Sequence, residues 1–246
     1  MDVLRTPDER FAALPGFRYA PRYVEDLAGF AGLRLAFIDE GGARVVAPDL
    51  FGFGRSDKPA DEGFYTFSRH RDALIALVER LDLRRITLVV QDWGGLLGLT
   101  LPLAMPERIE GLLVMNTMFA TGEPPLPPGF LAWRAWANAN PDMDPGRLIR
   151  RGCPHLTDAE AAAYSAPFPD ARYKAGVRRF PNLVPDDGDA DGARLSRAAR
   201  DWWRNEWRGP TFMAVGMKDP VLGPDVMRAL AADIRGCPPP LEIAEG

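Results

Sequence analysis

The sequence predicts an α/β fold in which helices flank a mainly parallel sheet and an α-helical cap is inserted between two strands. Short apolar segments rich in β-branched residues alternate with segments whose apolar residues recur at helical spacing. This alternation is typical of parallel strands that helices cover on both faces. The clearest strand is Ile86–Val90, which breaks at a glycine pair before an apolar segment of helix length.

The domain organisation follows from a change in the sequence pattern after Thr117. The run 122–129 is rich in proline and can continue neither a strand nor a helix. The stretch that follows is helical and loop-rich as far as about Trp203. We therefore expect a core of residues 1–118 and 204–246 and a helical cap of residues 119–203, placed as a lid over the reactive turn.

Composition excludes several classes of protein. The 246 residues carry a net charge of −4 without a basic stripe, which gives no reason to expect a nucleic-acid partner. No apolar stretch is long enough to span a bilayer, and the first residues lack the apolar core of a secretion signal, so we expect a cytoplasmic protein. Cys153 and Cys237 are isolated, which predicts free thiols and no zinc site.

Besides Ile86–Val90, the first half of the chain supplies two short strands and one long helix. Residues 33–38 alternate as a half-buried strand, and 44–47 form a second short strand. The glycines in 51–57 lack the strand-to-helix context and the Gly-Lys-Ser/Thr of a phosphate loop. Apolar residues at helical spacing predict a sheet-covering helix over 67–81, in which His70 is structural or exposed.

The second half continues the alternation around the cap. Residues 112–116 form a buried strand, and the spacing of Thr157 and Glu160 is a capping box that starts a cap helix. The acidic run 187–192 lacks the bidentate Glu of a calcium loop and is predicted to be a solvated loop. A strand over 211–215, a helix opening at Pro224 and a strand over 241–244 complete the sheet.

The strand-turn-helix around Asp92 lifts one side chain above the sheet. Two interpretations of Asp92 are open on these residues alone: a helix N-cap, or a carboxylate nucleophile that needs no base to activate it. Asp219 follows the strand 211–215 in a polar loop, where a turn residue is the commoner role. Because sites gather at the carboxyl ends of parallel strands, we expect Asp92 and Asp219 to converge.

Four sequence motifs, which together extend over nearly the whole chain, resemble the motifs of a known family and occur in the same order. They are 46–59 (Val-Ala-Pro-Asp-Leu-Phe-Gly-Phe-Gly-Arg-Ser-Asp-Lys-Pro), 91–102 (Gln-Asp-Trp-Gly-Gly-Leu-Leu-Gly-Leu-Thr-Leu-Pro), 165–170 and 216–219. Together they resemble a haloalkane dehalogenase of the first subfamily, within the α/β-hydrolase superfamily. The Asp-Trp-Gly-Gly motif by itself also occurs in epoxide hydrolases.

The resemblance implies a role for each matching residue. Asp92 would displace halide from carbon and form an ester, and the indole N–H of Trp93 would bind the departing halide. Without its neighbours, Trp93 would more simply be a packed core aromatic. Asp219 would orient a catalytic histidine. The implied reaction turns a small halogenated aliphatic substrate and water into alcohol and halide, with no metal and no organic cofactor. We expect the protein to act as a monomer.

Three departures from the family pattern accompany this resemblance. Between Asp39 and Val45 the family has a strand, a His-Gly turn and a helix, where this chain has only five residues. A parallel crossover needs about a dozen residues, so unless the sheet rearranges one central strand is missing. The chain ends before the family's catalytic histidine, and neither His70 nor His155 matches that position. Gly152 stands at the position of the family's second halide-binding tryptophan.

These departures leave alternatives open. Trp133 or Trp136 is a candidate for the missing halide donor. Epoxide hydrolysis uses the same elbow with paired cap tyrosines, for which Tyr164 and Tyr173 are available, although Gln91 favours the dehalogenase. The other alternative is a non-catalytic, internally deleted product, in which Asp92 forms an ester that no base discharges. Such a chain would also expose unpaired apolar edges and be poorly soluble.

Overall fold

The computed structural model describes residues 1–123 and 125–246. Pro124, within the proline-rich run, lies outside the described residues. The chain packs into two compact units: a first unit of Met1–Thr66 and Arg134–Asn182, and a second unit of Phe67–Trp133 and Leu183–Gly246. The division into a core (1–118 and 204–246) and a cap (119–203) stays a prediction.

Among the described residues, strands and α-helices alternate only in the middle and at the end of the chain; five strands precede the first α-helix, and five α-helices follow one another in the second half. The strands are β1 (Val3–Leu4), β2 (Arg22–Val24), β3 (Leu35–Glu40), β4 (Val45–Pro48), β5 (Lys58–Pro59), β6 (Ile86–Val90), β7 (Ile109–Met115), β8 (Thr211–Gly216) and β9 (Leu241–Ile243). The helices are α1 (Phe67–Arg80), α2 (Trp93–Gly98), α3 (Pro128–Ala139), α4 (Pro145–Gly152), α5 (Asp158–Ser165), α6 (Ala175–Arg179), α7 (Ala193–Asn205) and α8 (Pro224–Asp233).

The first unit contains the antiparallel strands. β1 pairs with β5, and β2, β3 and β4 form a three-stranded sheet in that order. β3 and β4 make a hairpin in which Glu40 lies opposite Val45, and Gly41 takes the positive φ of 89° that the tight turn requires. The side chain of Arg44 donates to both carboxylate oxygens of Asp39 across this hairpin, at 2.8 and 2.9 Å.

This hairpin resolves the question raised by the short segment between Asp39 and Val45. The flanking strands are antiparallel neighbours joined by a four-residue turn, so no crossover is needed. No strand lies between them among the described residues.

The second unit contains the parallel sheet that the sequence predicts. Its strand order is β6-β7-β8-β9, and Val89, Leu113 and Phe212 stand side by side across the first three strands. Residues on the opposite face of these strands are buried against α7 and α8, with Trp203 at the centre of the cluster. The Trp203 indole N–H donates to the backbone oxygen of Leu99 at 2.8 Å, so this large side chain is buried with its polar atom satisfied.

β6 is an edge strand of this sheet, which is unusual for a strand of its composition. Its five residues, Ile-Thr-Leu-Val-Val, carry no charge and would suit a strand buried on both faces. In the structure Thr87 is exposed and the side chain of Val89 is 63% exposed. The predicted apolar edge is therefore present on β6.

The predicted helices are largely confirmed. α1 covers 67–80 with His70 buried, and α5 begins with the predicted capping box: Glu160 N–H donates to Thr157 Oγ1 at 3.2 Å, and Thr157 N–H to the Glu160 carboxylate at 2.8 Å. The acidic run is more than a solvated loop, because Asp191 accepts a hydrogen bond from Ser68 N–H at 3.0 Å, in the first turn of α1. None of the helices described is both long and apolar enough to cross a bilayer.

Candidate active site at the end of the parallel sheet

Asp92 lies directly after β6 in a strained backbone conformation. Its φ of 46° and ψ of −123° are unusual for a residue with a side chain. Backbone hydrogen bonds hold this geometry: Asp92 N–H donates to Asn116 O at 2.8 Å, and Gly95 N–H donates to Asp92 O at 2.9 Å. Asp92 occupies the N-cap position of α2, but its side chain makes no capping hydrogen bond. This geometry favours the nucleophile interpretation, which stays a prediction.

The glycines that follow allow the turn to pack. A Cβ at Gly95 would stand 2.1 Å from Thr117 Oγ1, and a Cβ at Gly98 would stand 2.8 Å from Val90 Cγ1. Thr117 in turn donates its hydroxyl to Asp92 O at 2.8 Å. α2 therefore begins against the end of β7 at a distance that only glycine permits.

Asp219 lies in the loop after β8 and is held by three donors. Its Oδ1 accepts from the backbone N–H groups of Val221 and Leu222 at 2.8 and 2.9 Å, and its Oδ2 accepts from Asn116 Nδ2 at 3.2 Å. This arrangement fixes the orientation of the Asp219 carboxyl group, whose oxygens can accept a hydrogen bond from a donor group.

Asn116 is a site residue that the sequence analysis missed. It is buried directly after β7, and its Oδ1 accepts from Gly216 N–H at 2.8 Å while its Nδ2 also approaches the backbone oxygens of Gly216 and Leu222 at 3.1 Å. Asn116 thus joins the ends of β7 and β8 and supports Asp219. The sequence did offer one indication of this role, because Asn116 is a polar residue at the carboxyl end of a buried strand, where functional sites of parallel sheets gather.

The electrostatics of the two carboxyl groups are coupled. The surrounding protein removes water from the Asp92 carboxyl, and the negative charge of Asp219 repels it, so that the pKa of Asp92 is raised to about 6. A hydrogen bond from the backbone N–H of Trp93 acts in the opposite direction. Asp92 keeps an exposed surface, and near neutral pH most of it is ionised.

Trp93 is the first residue of α2, partly buried beside Asp92, with its ring 6.3 Å from that of Phe67. Asp92, Trp93 and Asp219 all belong to the second unit. Of the other tryptophans considered as halide donors, Trp133 belongs to the second unit and Trp136, which is 40% exposed, to the first. Gly152 ends α4 in the first unit, where a Cβ would meet no atom within 4 Å.

Neither histidine of the chain has the environment of a catalytic base. His70 is buried in α1, and this burial lowers its pKa to about 4, so that it is neutral and poorly accessible to water. His155 is exposed in the first unit, ahead of α5. Within the described residues no three His, Cys, Asp or Glu side chains are grouped as metal ligands.

Comparison with known proteins places this site in context. A family model of the α/β hydrolase fold matches residues 27–239. Haloalkane dehalogenase 1 of Mycobacterium tuberculosis is 41% identical over 259 residues, covering 91% of this chain and 85% of that protein. A haloalkane dehalogenase of Psychrobacter cryohalolentis is 37% identical over 271 residues, covering 96% and 89%.

A solved structure gives the same relationship in three dimensions. The tetrameric haloalkane dehalogenase DpaA from Paraglaciecola agarilytica NO2 is 44% identical and superposes with a TM-score of 0.97, covering 100% of this chain and 93% of that chain. The alignments over 259 and 271 positions are longer than this 246-residue chain. Gaps therefore open inside it, and the relatives hold internal residues that it lacks.

Proposed function

The chain belongs to the haloalkane dehalogenase family, and on this basis we propose that it displaces halide from haloalkanes through a covalent ester on Asp92. A carboxylate oxygen of Asp92 forms a bond to the halogen-bearing carbon as the carbon–halogen bond breaks, and the halide leaves with the bonding electron pair. The observation that carries this proposal is the Asp92 side chain, which a strained turn lifts from the sheet and no capping hydrogen bond engages.

Trp93 and Asp219 have supporting roles in this proposal. The indole N–H of Trp93 donates to the departing halide, because this group donates and has no lone pair to compete with the anion. The backbone N–H of Trp93 stabilises the oxyanion when water attacks the ester. Asp219, already held by Asn116, is the acid that orients a protonated base.

The hydrolytic half-reaction sets the limit on this 246-residue chain. Water must lose a proton as it attacks the ester carbonyl, giving alcohol and regenerating Asp92, and this step calls for a base. Since neither His70 nor His155 has the environment of that base, we expect the ester to form and to persist. The family reaction is hydrolytic dehalogenation; in this chain we expect one turnover.

The test is to incubate the chain with 1,2-dibromoethane or 1-chlorobutane at pH 8, where Asp92 is ionised. We expect at most one equivalent of halide for each chain, measured by ion chromatography. Intact-mass and peptide mass spectrometry should find one alkyl group on Asp92. The Asp92→Asn variant should release no halide, because a neutral amide is a poor nucleophile.

The outcomes separate the parts of this proposal. Halide release by Asp92→Asn at the rate of the unaltered chain would remove Asp92 as nucleophile. Release over many turnovers would keep the family activity and disprove the stalled ester. Imidazole supplied in solution should discharge the ester and release alcohol.

The named relatives are dehalogenases, which does not favour epoxide hydrolysis; styrene oxide should therefore give no diol. DpaA is a tetramer, so the monomer expected for this chain stays a prediction that light scattering tests. The cytoplasmic location also stays a prediction.

A further inference from the structure

A cavity of about 630 Å³ is lined entirely by residues of the first unit. Its wall is formed by the segment ahead of β2, by β3, by the loop 49–55, and by α4, α5 and the residues after α5. Its volume is within the range of cavities that hold small organic molecules.

Apolar side chains dominate this wall, and many of them are aromatic. Six aromatic side chains line the cavity: Phe11, Phe17, Phe37, Phe53, Phe168 and Tyr164. The ring of Phe53 lies edge-on to that of Phe168, with their centroids 6.4 Å apart. Such a lining favours an apolar chain or ring over a polar ligand.

Arg55 is the cation of this wall, and its hydrogen-bonding capacity is largely unused. Its guanidinium lies 4.1 Å above the ring of Phe11, and its side chain is only 16% exposed. The nearest carboxylate, that of the exposed Asp8, is 3.9 Å away, and among the described residues the guanidinium makes no hydrogen bond. Five N–H donors in a planar fork are therefore available to a bidentate acceptor.

The two acids of the wall are already engaged. Asp49 Oδ2 accepts from the backbone N–H of Arg55 at 2.8 Å, and burial raises the pKa of Asp49, so its carboxyl is less ready than usual to carry a charge. The Glu160 carboxylate accepts from Thr157 N–H and Thr157 Oγ1, both at 2.8 Å. Arg55 is consequently the polar group of the wall with donors to spare.

We propose that this cavity binds an amphipathic monocarboxylate, whose apolar chain packs among the aromatic side chains while its carboxylate accepts two hydrogen bonds from Arg55. The carboxylate matches the fork of the guanidinium, and the apolar chain removes aromatic surface from water. This proposal does not depend on the reaction proposed at Asp92.

The test compares three ligands of equal chain length and different head groups by isothermal titration calorimetry with the whole chain. They are decanoate, decan-1-ol and decyltrimethylammonium, each below the concentration at which it forms micelles. We expect decanoate to bind at least about tenfold more tightly than decan-1-ol. Decyltrimethylammonium should bind more weakly still.

Variants locate the site. Arg55→Met should weaken decanoate at least about tenfold and leave decan-1-ol unchanged. Ala163→Trp, which fills the cavity from α5, should weaken both ligands. The control is Arg172→Met, which removes an exposed guanidinium outside the cavity wall and should change neither. If Arg55→Met does not fold, as judged by circular dichroism, the three head groups on the unaltered chain still decide the question.

Equal affinity for the acid and the alcohol would overturn the role of Arg55. Tighter binding of the ammonium ligand would show that Asp49 or Glu160 sets the preference. Absence of binding by all three ligands would overturn the site itself, whatever the outcome of the halide experiment at Asp92.

Discussion

At the scale of single residues, Asp92, the candidate nucleophile, destabilises the folded chain in two ways. A residue other than glycine in the conformation of Asp92 costs on the order of 1–3 kcal/mol. The carboxylate adds a second cost, because neighbouring protein and the charge of Asp219 oppose its ionisation. The hydrogen bonds of Asn116 and Thr117 to the elbow and its surroundings offset part of both costs.

Asp92→Asn should therefore stabilise the fold at neutral pH. The pKa of Asp92 is about 6 in the folded state, against an ordinary value of 3.8. Binding of this proton therefore contributes its full stabilisation of the fold below pH 3.8, and the contribution is lost as the pH rises through 6. The shift corresponds to roughly 3 kcal/mol, but Asp92 keeps an exposed surface and water screens the repulsion. We expect a gain of about 1–2 kcal/mol in the free energy of unfolding.

Urea unfolding at pH 4, 5, 6 and 8 measures this gain. The gain in the free energy of unfolding should be complete at pH 8, should decrease between pH 6 and pH 4, and should be absent below pH 4. The exposed Asp201 on α7 gives the control Asp201→Asn, which should show no such pH profile. A gain that is the same at pH 4 and pH 8 would mean that charge is not its source.

The glycine pair of the elbow offers a second comparison of adjacent residues. Gly95→Ala should destabilise the chain by about 3 kcal/mol, because its Cβ would stand 2.1 Å from the hydroxyl of the buried Thr117. Gly94→Ala should instead be neutral or stabilise α2 by up to about 1 kcal/mol, since its Cβ would meet nothing within 4 Å. Thermal unfolding of the two variants measures both effects, and equal losses would contradict the close approach of α2 and β7.

Sequence could identify Asp92 and not Asn116 for a physical reason. A carboxylate between a buried strand and a glycine pair is a local pattern that can be found along the chain. Asn116 acts through atoms about a hundred positions away, at Gly216 and Asp219, and those contacts exist only once β7 and β8 are paired.

At the scale of elements, β6 is a strand whose sequence and position disagree. It presents an open edge and the exposed Val89, next to the elbow. Uncharged, β-branched edge strands recruit other chains, and natural proteins protect them with lysine or proline.

Val89→Lys should accordingly reduce aggregation without unfolding the chain. We expect a larger soluble fraction after centrifugation and a free energy of unfolding within about 0.5 kcal/mol of the original. Leu131→Lys on α3 is the matched control, because Leu131 is also apolar and 42% exposed but does not lie on a strand. A similar gain from both variants would point to general hydrophobicity rather than to the edge.

Local chemistry explains which elements were predictable. β6, α1 and the capping box of α5 each follow from neighbouring residues, and the structure confirms them. The β3–β4 hairpin was not foreseen, although the Gly41-Gly42 turn was visible in the sequence. The direction in which β4 runs depends on which strand it pairs with, and that partner is not encoded in the turn.

At the scale of the whole molecule, the chain lacks internal residues that its relatives have, and each unit retains a buried core of its own. The antiparallel sheet ends at β4, where Val45 is 58% exposed, and the parallel sheet ends at β6. A parallel sheet is stable when its strands are covered and paired. The unpaired edge of β6 is therefore expected to cost the second unit stability.

Replacing the turn 41–44 with the corresponding segment of the Psychrobacter relative should test this consequence. If that segment supplies a strand alongside β6, the backbone amides of Thr87 and Val89 should exchange more slowly with deuterium, and the free energy of unfolding should rise. A Gly/Ser segment of equal length is the control, because it lengthens the connection without supplying a strand. Equal exchange at β6 in both chains would show that the edge is not where the absent residues pair. Slower exchange with the relative's segment alone would show that a strand of that segment pairs with β6.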